Sequence, residues 1–193
     1  MRIITGLARG CRLKTPQGAA TTRPTADRVK ESLFNILGDM VRGRTVLDLF
    51  AGTGNLGLEA LSRGAAAATF VDRATGSLIA ENAQRTRLAA QSTICAGDAW
   101  QVLGRLQAQG QRFSLIFCDP PYHLGLWQRA LAVLDGSTLL TPDGILVVEH
   151  GADEDELPAI VRLERRDHRR YGHTTQLSFF QWRDYGAAEE AEP

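Results

Sequence analysis

The chain has 193 residues, and 22 Lys and Arg balance 22 Asp and Glu. That length and an ordinary apolar content imply one globular domain with at most a small appendage, and exclude a disordered or fibrous chain. No apolar run approaches the roughly 20 residues of a membrane span, and the basic N-terminus MRIITGLARGCRLK lacks the apolar stretch of a signal peptide. Cys11, Cys95 and Cys118 form no C-x-x-C pair, so a reduced, cytoplasmic protein without a zinc site is expected.

The neutral total hides an asymmetry. Residues 1–44 carry nine Lys and Arg against three acids, residues 45–150 seven against nine, and residues 151–193 six against ten. Basic charge at the N-terminus suits an arm that touches phosphates; a solvated basic surface is the plain alternative.

In chain order, residues 2–15 read as a short hairpin or extended arm and Pro16–Thr22 as a loop. Thr25 is an N-cap candidate for a helix whose Val29, Leu33, Ile36 and Leu37 share one face. From residue 45 strands and helices alternate. Strands are predicted at Thr45–Phe50, Ala67–Val71, Thr93–Ala96, Phe113–Cys118 and Gly144–Glu149. Helices are predicted from Leu56 to Ser62 and over Thr75–Ala90, Ala99–Gln109 and Leu124–Leu134. This repetition predicts an α/β fold, a doubly wound and mostly parallel sheet with helices on both faces. Asp153–Glu156 reads as an acidic helix start. Ile160–Arg170 and Thr174–Trp182 read as an antiparallel C-terminal hairpin around Tyr171-Gly172-His173, and residues 186–193 as a flexible acidic tail.

Two strand ends carry the chemistry. After the first strand, Asp48-Leu49-Phe50-Ala51-Gly52-Thr53-Gly54-Asn55-Leu56-Gly57 contains G-x-G-x-x-G, and Asp72 follows 20 residues after Gly52. A dinucleotide or another nucleoside ligand fits that much, with the acid on ribose hydroxyls. Three features favour S-adenosylmethionine over NAD. Asp48 precedes the turn, where a carboxylate can reach an ammonium but repels a pyrophosphate. Asp98 closes the third strand and can pair with the adenine amino group. The fourth strand ends in Asp119-Pro120-Pro121-Tyr122. There an acid can accept hydrogen bonds from an amine, prolines supply carbonyl acceptors on a stiff turn, and a ring can stack on a base.

These motifs resemble the class I methyltransferase fold and, more narrowly, the RsmD family. The carriers are RPTADRVKESLFNIL at 23–37, DLFAGTGNLGLEALSRGA at 48–65, VDR at 71–73, GDA at 97–99, DPPY at 119–122 and YGHTTQLSFF at 171–180. The resemblance implies a Rossmann-like methyltransferase domain at 45–185, preceded by a basic arm and helix at 1–44 that is not an independent domain. It implies methyl transfer from S-adenosylmethionine, leaving S-adenosylhomocysteine, to the exocyclic N2 of one guanine in 16S rRNA. The implied substrate is the small ribosomal subunit or an assembly intermediate, with or without bound ribosomal proteins. A monomer with no metal is expected.

On this reading Asp119, Pro120, Pro121 and Tyr122 are the catalytic residues. Asp48, Phe50, Gly52, Gly54, Asp72, Arg73, Asp98 and Ala99 bind the cofactor. Arg23, Arg28 and Lys30 grip the RNA, with Arg9, Arg12 and Lys14 as outer contacts. Arg165, Arg166, Arg169 and Arg170 extend the surface or form a solvated strand edge, and His123 and His173 are lone loop residues. Asp119 and the Pro120 carbonyl accept the amine's two N–H bonds and expose its lone pair, while Tyr122 stacks on an unpaired or flipped base. The rivals are a DNA adenine-N6 methyltransferase, a non-catalytic binding module and a nicotinamide dehydrogenase. About 70 residues follow DPPY, too few for both the rest of the sheet and a base-reading domain.

Overall fold

The computed structural model describes residues 1–16 and 24–183. Arg23 and the tail at 186–193 lie outside the described residues. Five strands, β1 (Thr45–Leu49), β2 (Ala67–Asp72), β3 (Ser92–Ala96), β4 (Phe113–Cys118) and β5 (Leu140–Gly151), run parallel in the order β3-β2-β1-β4-β5. β6 (Leu163–Tyr171) and β7 (Thr175–Trp182) return antiparallel. β7 pairs with β5, which leaves β6 at the edge. The chain order reverses between β1 and β4, so a crevice opens at their C-terminal ends.

Five α-helices cover the sheet: α1 (Pro24–Leu37), α2 (Asn55–Ser62), α3 (Gly76–Arg85), α4 (Ala99–Ala108) and α5 (Leu126–Asp135). Strand alternation sends Val46, Phe70, Phe117 and Val147 to one face, against Phe34 of α1, Leu58 of α2 and Ile79 of α3. It sends Leu47, Val71, Ile116 and Val148 to the other, against Val102 of α4 and Leu131 of α5. α2 lies so close to the sheet that a Cβ at Gly57 would sit 2.4 Å from a Phe70 ring carbon. The third glycine of the G-x-G-x-x-G run therefore serves helix–sheet packing.

Several expectations change. α1 already begins at Pro24, which suits the first helical position, so Thr25 lies in the first turn rather than at the cap. α3 stops at Arg85, because Arg87 takes a left-handed backbone (φ 60°). The predicted helix start at Asp153–Glu156 does not form. There Glu154 accepts from the Gly151 N–H, and Asp155 is taken up by Arg165 and by the Gln176 side chain.

The N-terminal hairpin is fastened to the domain. Ile3 N–H donates to Cys11 O at 3.0 Å and Gly10 N–H to Ile3 O at 2.8 Å, while the Ile3 and Leu13 side chains enter the core. Ile4 and Thr5 N–H donate to the two carboxylate oxygens of Glu59 at 2.7 and 3.0 Å, and Lys14 N–H donates to Asn82 Oδ1 at 2.7 Å. Glu59 is wholly buried and also holds Arg63 Nε at 2.9 Å and Lys30 Nζ at 3.3 Å. Removing one partner of a buried ionic cluster leaves the others uncompensated. Glu59→Ala should therefore cost about 3–5 kcal/mol, read as a lower urea midpoint. An unchanged midpoint would mean that Glu59 is not the anchor of the hairpin.

Candidate active site

A cavity of about 560 Å³ opens at the β1/β4 switch point. Its walls include Asp48 and Phe50 from the end of β1, Gly52 and Thr53 from the turn, Asp72 and Arg73 after β2, and Asp119, Pro120, Pro121 and Tyr122 after β4. A larger hollow of about 880 Å³ lies beside Phe34, Arg42 and Arg63, on the approach to β1, and holds none of these acids.

The turn is built by its backbone. Phe50 (φ 63°), Gly52 (φ 55°) and Gly54 (φ 78°) all take left-handed conformations, and Gly54 N–H donates to Ala51 O at 2.7 Å. Asp72 braces it: one oxygen accepts from Gly52 N–H at 2.9 Å, the other from Ala74 and Thr75 N–H at 2.8 and 3.0 Å. Partial burial pushes the Asp72 carboxyl up, but these donors outweigh it and hold it below the usual carboxylate range. Gly54 itself faces Ile79, Leu58 and Phe70 and is absent from the cavity wall, so its role is in the turn and the packing beneath it.

Asp48 and Asp119 show the opposite electrostatics. Asp48 is buried and accepts Gly57 N–H at 2.8 Å. Burial raises its carboxyl to about 7 against that hydrogen bond, and the Asp72 charge adds to the rise. Burial also drives Asp119 well above the carboxylate range, reinforced by the charges of Glu149 and Asp48. Tyr122 is pinned: its hydroxyl donates to Glu149 Oε1 at 2.8 Å and lies 3.3 Å from Thr175 Oγ1.

Asp98 and Ala99 lie outside the cavity wall. Asp98 caps α4, accepting from Trp100 and Gln101 N–H at 3.1 and 3.3 Å. Next to it, Trp100 meets the Phe50 ring edge-on at 5.9 Å and carries the Arg129 guanidinium at 4.2 Å.

The basic residues divide. Arg9 and Arg28 are exposed and line a groove of about 430 Å³ with Arg2, Asp27 and Glu31. Met1 lines the cavity and Arg2 the groove, so the two adjoin. Arg12 is exposed on the hairpin beside Arg2, whereas Lys14 pairs with Glu81 of α3. Lys30, expected on an RNA-facing surface, is 2% exposed. Its ammonium donates to Arg2 O at 2.6 Å and Asn55 Oδ1 at 2.7 Å, and burial lowers its pKa against the opposing Glu59 charge. Along β6, Arg165 pairs with Asp155 and Arg169 with Asp167. His123 is exposed in a left-handed backbone (φ 61°) with Nδ1 3.8 Å from Glu154.

Glu149, Thr175 and Arg2 join the two sites without having been singled out in the sequence. Glu149 had a signal, as the acid that ends a predicted strand; Thr175 had none. Among the described residues no cluster of three or more His, Cys, Asp or Glu side chains could hold a metal, and no helix is long and apolar enough to cross a membrane.

The raised Asp48 carboxyl has a consequence for stability. Its folded value, about 7, lies above an unfolded value near 3.9. The native state therefore binds this proton more tightly, and stability is lost as pH rises from about 4 through 7. Asp48→Asn, which keeps an acceptor for Gly57 N–H, should flatten that slope in urea midpoints measured between pH 4 and 8. An unchanged slope would reassign the ionisation.

Comparison with known proteins agrees with the geometry. The family model described as "Conserved hypothetical protein 95" matches residues 1–181. A Bacillus subtilis protein provisionally named rRNA methyltransferase YlbH is 40% identical over 163 residues, 83% of this chain and 88% of that relative. Ribosomal RNA small subunit methyltransferase D of Escherichia coli K12 is 37% identical over 166 residues, 83% of this chain and 79% of that one. A solved Escherichia coli structure, provisionally named methyltransferase yhhF, superimposes with a TM-score of 0.81 at 34% identity, covering 94% of this chain and 97% of its own. With a family model matched over residues 1–181 and relatives this similar over most of its length, the chain belongs to the RsmD family.

Proposed function

We propose that this protein transfers a methyl group from S-adenosylmethionine to the exocyclic N2 of a guanine in 16S rRNA, on the small ribosomal subunit or an assembly intermediate in the cytoplasm. The observation that carries the reading is the single cavity shared by Asp48, the Gly52 turn, Asp72 and the Asp119–Tyr122 segment. On this reading an amine-accepting loop stands against a nucleoside-binding turn. The named substrate of the Escherichia coli and other relatives supports the RNA.

The residues suit this cofactor. Asp48, ionised, offers a buried carboxylate to an ammonium, and an oxygen already occupied by Gly57 N–H holds it in place. Asp72, kept ionised by its three backbone donors, retains lone pairs for ribose hydroxyls. Phe50 and Arg73 complete that wall, and Asp98 and Ala99 are assigned to the adenine end. When bound, S-adenosylmethionine supplies an electrophilic methyl and departs as S-adenosylhomocysteine.

The protein's part is to prepare the amine. A guanine N2 lone pair is delocalised into the ring and attacks poorly. The Asp119 carboxylate and the Pro120 carbonyl accept its two N–H bonds, which favours a pyramidal nitrogen and offsets the positive charge of the transition state. Pro121 stiffens the loop, and Tyr122 stacks on the base. The proton then leaves to Asp119 or to water. Arg9, Arg12 and Arg28, with Arg2, hold phosphates beside the cavity; Arg23 is assigned with them by resemblance.

DNA adenine-N6 methylation uses the same loop chemistry. The strands β5, β6 and β7 take up Leu140–Trp182, leaving no separate base-reading domain among the described residues. Recognition of folded RNA by shape fits such a chain better.

Two measurements test this. Labelled S-adenosylmethionine should mark small subunits from cells lacking the activity, at one guanine; label confined to duplex DNA would overturn the assignment. Asp119→Ala should abolish transfer while cofactor affinity stays within about twofold. A large loss of cofactor affinity would move Asp119 to the cofactor side.

A further inference from the structure

The end of β5 completes the site in a way that the motif does not contain. In the sheet register Cys118 is the partner of Val148, so the next residues, Asp119 just past β4 and Glu149 near the end of β5, lie side by side on the same face. That face also carries Asp48, paired with Phe117, and β7 brings Thr175 alongside Gly151. The Tyr122 hydroxyl reaches across to this edge and donates to Glu149 Oε1 at 2.8 Å, with Thr175 Oγ1 3.3 Å away. One tyrosine thus ties the catalytic loop to two strands.

We propose that Glu149 is a positioning residue of the methyl-transfer site, holding the Tyr122 ring against the cavity through the phenol hydroxyl and acting on Asp119 as its neighbour across the strand ends. This rests on the reading of Asp119 as the amine acceptor. A tyrosine with a free hydroxyl could swing into solvent on the exposed Pro121–Gly125 turn. Bonded to a half-buried carboxylate, its ring has one orientation, fixed before the base arrives. Preorganisation of this kind acts on turnover more than on cofactor binding.

The charge of Glu149 has a second effect. The titratable groups near Asp119 are Asp48 on β1, Glu149 on β5 and Tyr122 in the loop, with the Cys118 thiol turned to the opposite face of β4, and each is anionic or neutral. Burial, then the Glu149 charge, then the Asp48 charge all favour the protonated form of Asp119. Burial raises Glu149 as well, and the Tyr122 hydroxyl opposes that rise. An acceptor of amine protons must be ionised, so transfer rises with pH through the Asp119 ionisation. Removing the neighbouring charge moves that limb to lower pH.

The test uses the full chain, labelled S-adenosylmethionine and small ribosomal subunits lacking the modification. Glu149→Gln is isosteric and still accepts from Tyr122, so its acid limb of kcat/KM should shift down by about one pH unit. Tyr122→Phe and Glu149→Ala should each lower kcat by about tenfold, with the double variant no worse than either single one. An unmoved limb in Glu149→Gln, or losses that multiply in the double variant, would overturn the role of Glu149. Asp119→Asn separates the two levels. If it is inactive while the Glu149 variants behave as wild type, only this inference fails. If it keeps the wild-type rate, the reading of the site fails and takes this inference with it.

Discussion

A single buried carboxylate joins the parts of this molecule that carry function. Glu59 sits on α2 one turn beyond the glycine-rich loop, and it binds the hairpin backbone, Lys30 of α1 and Arg63 at once. A charge in that position is tolerable only when every oxygen is paired. The pairing orients the hairpin, and the hairpin brings Met1 to the cavity and Arg2 and Arg9 to the adjoining groove. Lys30 passes the link on to Asn55, the first residue of α2 and a wall of the same cavity. Residues 1–14 are therefore fastened to the half of the domain that carries the glycine-rich turn, and on the proposed reading their part in RNA binding is inseparable from that packing.

The site has the reverse electrostatics. Asp48, Asp119 and Glu149 crowd one face of three adjacent strand ends, and burial raises each carboxyl from its ordinary value. Such a set weakens the protein, because ionising acids side by side, one buried and two half-buried, is costly. On the proposed reading, what relieves them is what the site receives: an ammonium beside Asp48 and the N–H donors of a base beside Asp119. Asp72 differs because three backbone N–H groups already satisfy it, so it braces the turn with or without a ligand.

Much of this was legible in the chain. The strand–helix alternation from Thr45 gave the parallel sheet because each buried strand is a short apolar run closed by a turn signal. The DPPY loop and the Gly52 turn were legible because rigid prolines and left-handed glycines leave few alternatives for local backbone. The acidic run at Asp153–Glu156 misled because Asp155 is used across space, by Arg165 and Gln176, while Glu154 turns back on the Gly151 N–H, and a helix was the local reading of that arrangement. Lys30 misled for the same reason: in a basic segment it looks like its neighbours Arg23 and Arg28, and only the position of Glu59 takes it inside.

By itself, then, the sequence determined the order of strands and helices from Thr45 to Asp135, the glycine-rich turn after β1, the stiff DPPY loop after β4 and the surplus of basic charge at one end, since each is written in local pattern or composition. Only the tertiary structure decided which basic residues face outward, that Asp98 caps a helix beside the cavity instead of lining it, and that Glu149 and Thr175 hold Tyr122. These last depend on register between strands far apart in the chain. Register is set by the packing of whole faces, and no short motif records it.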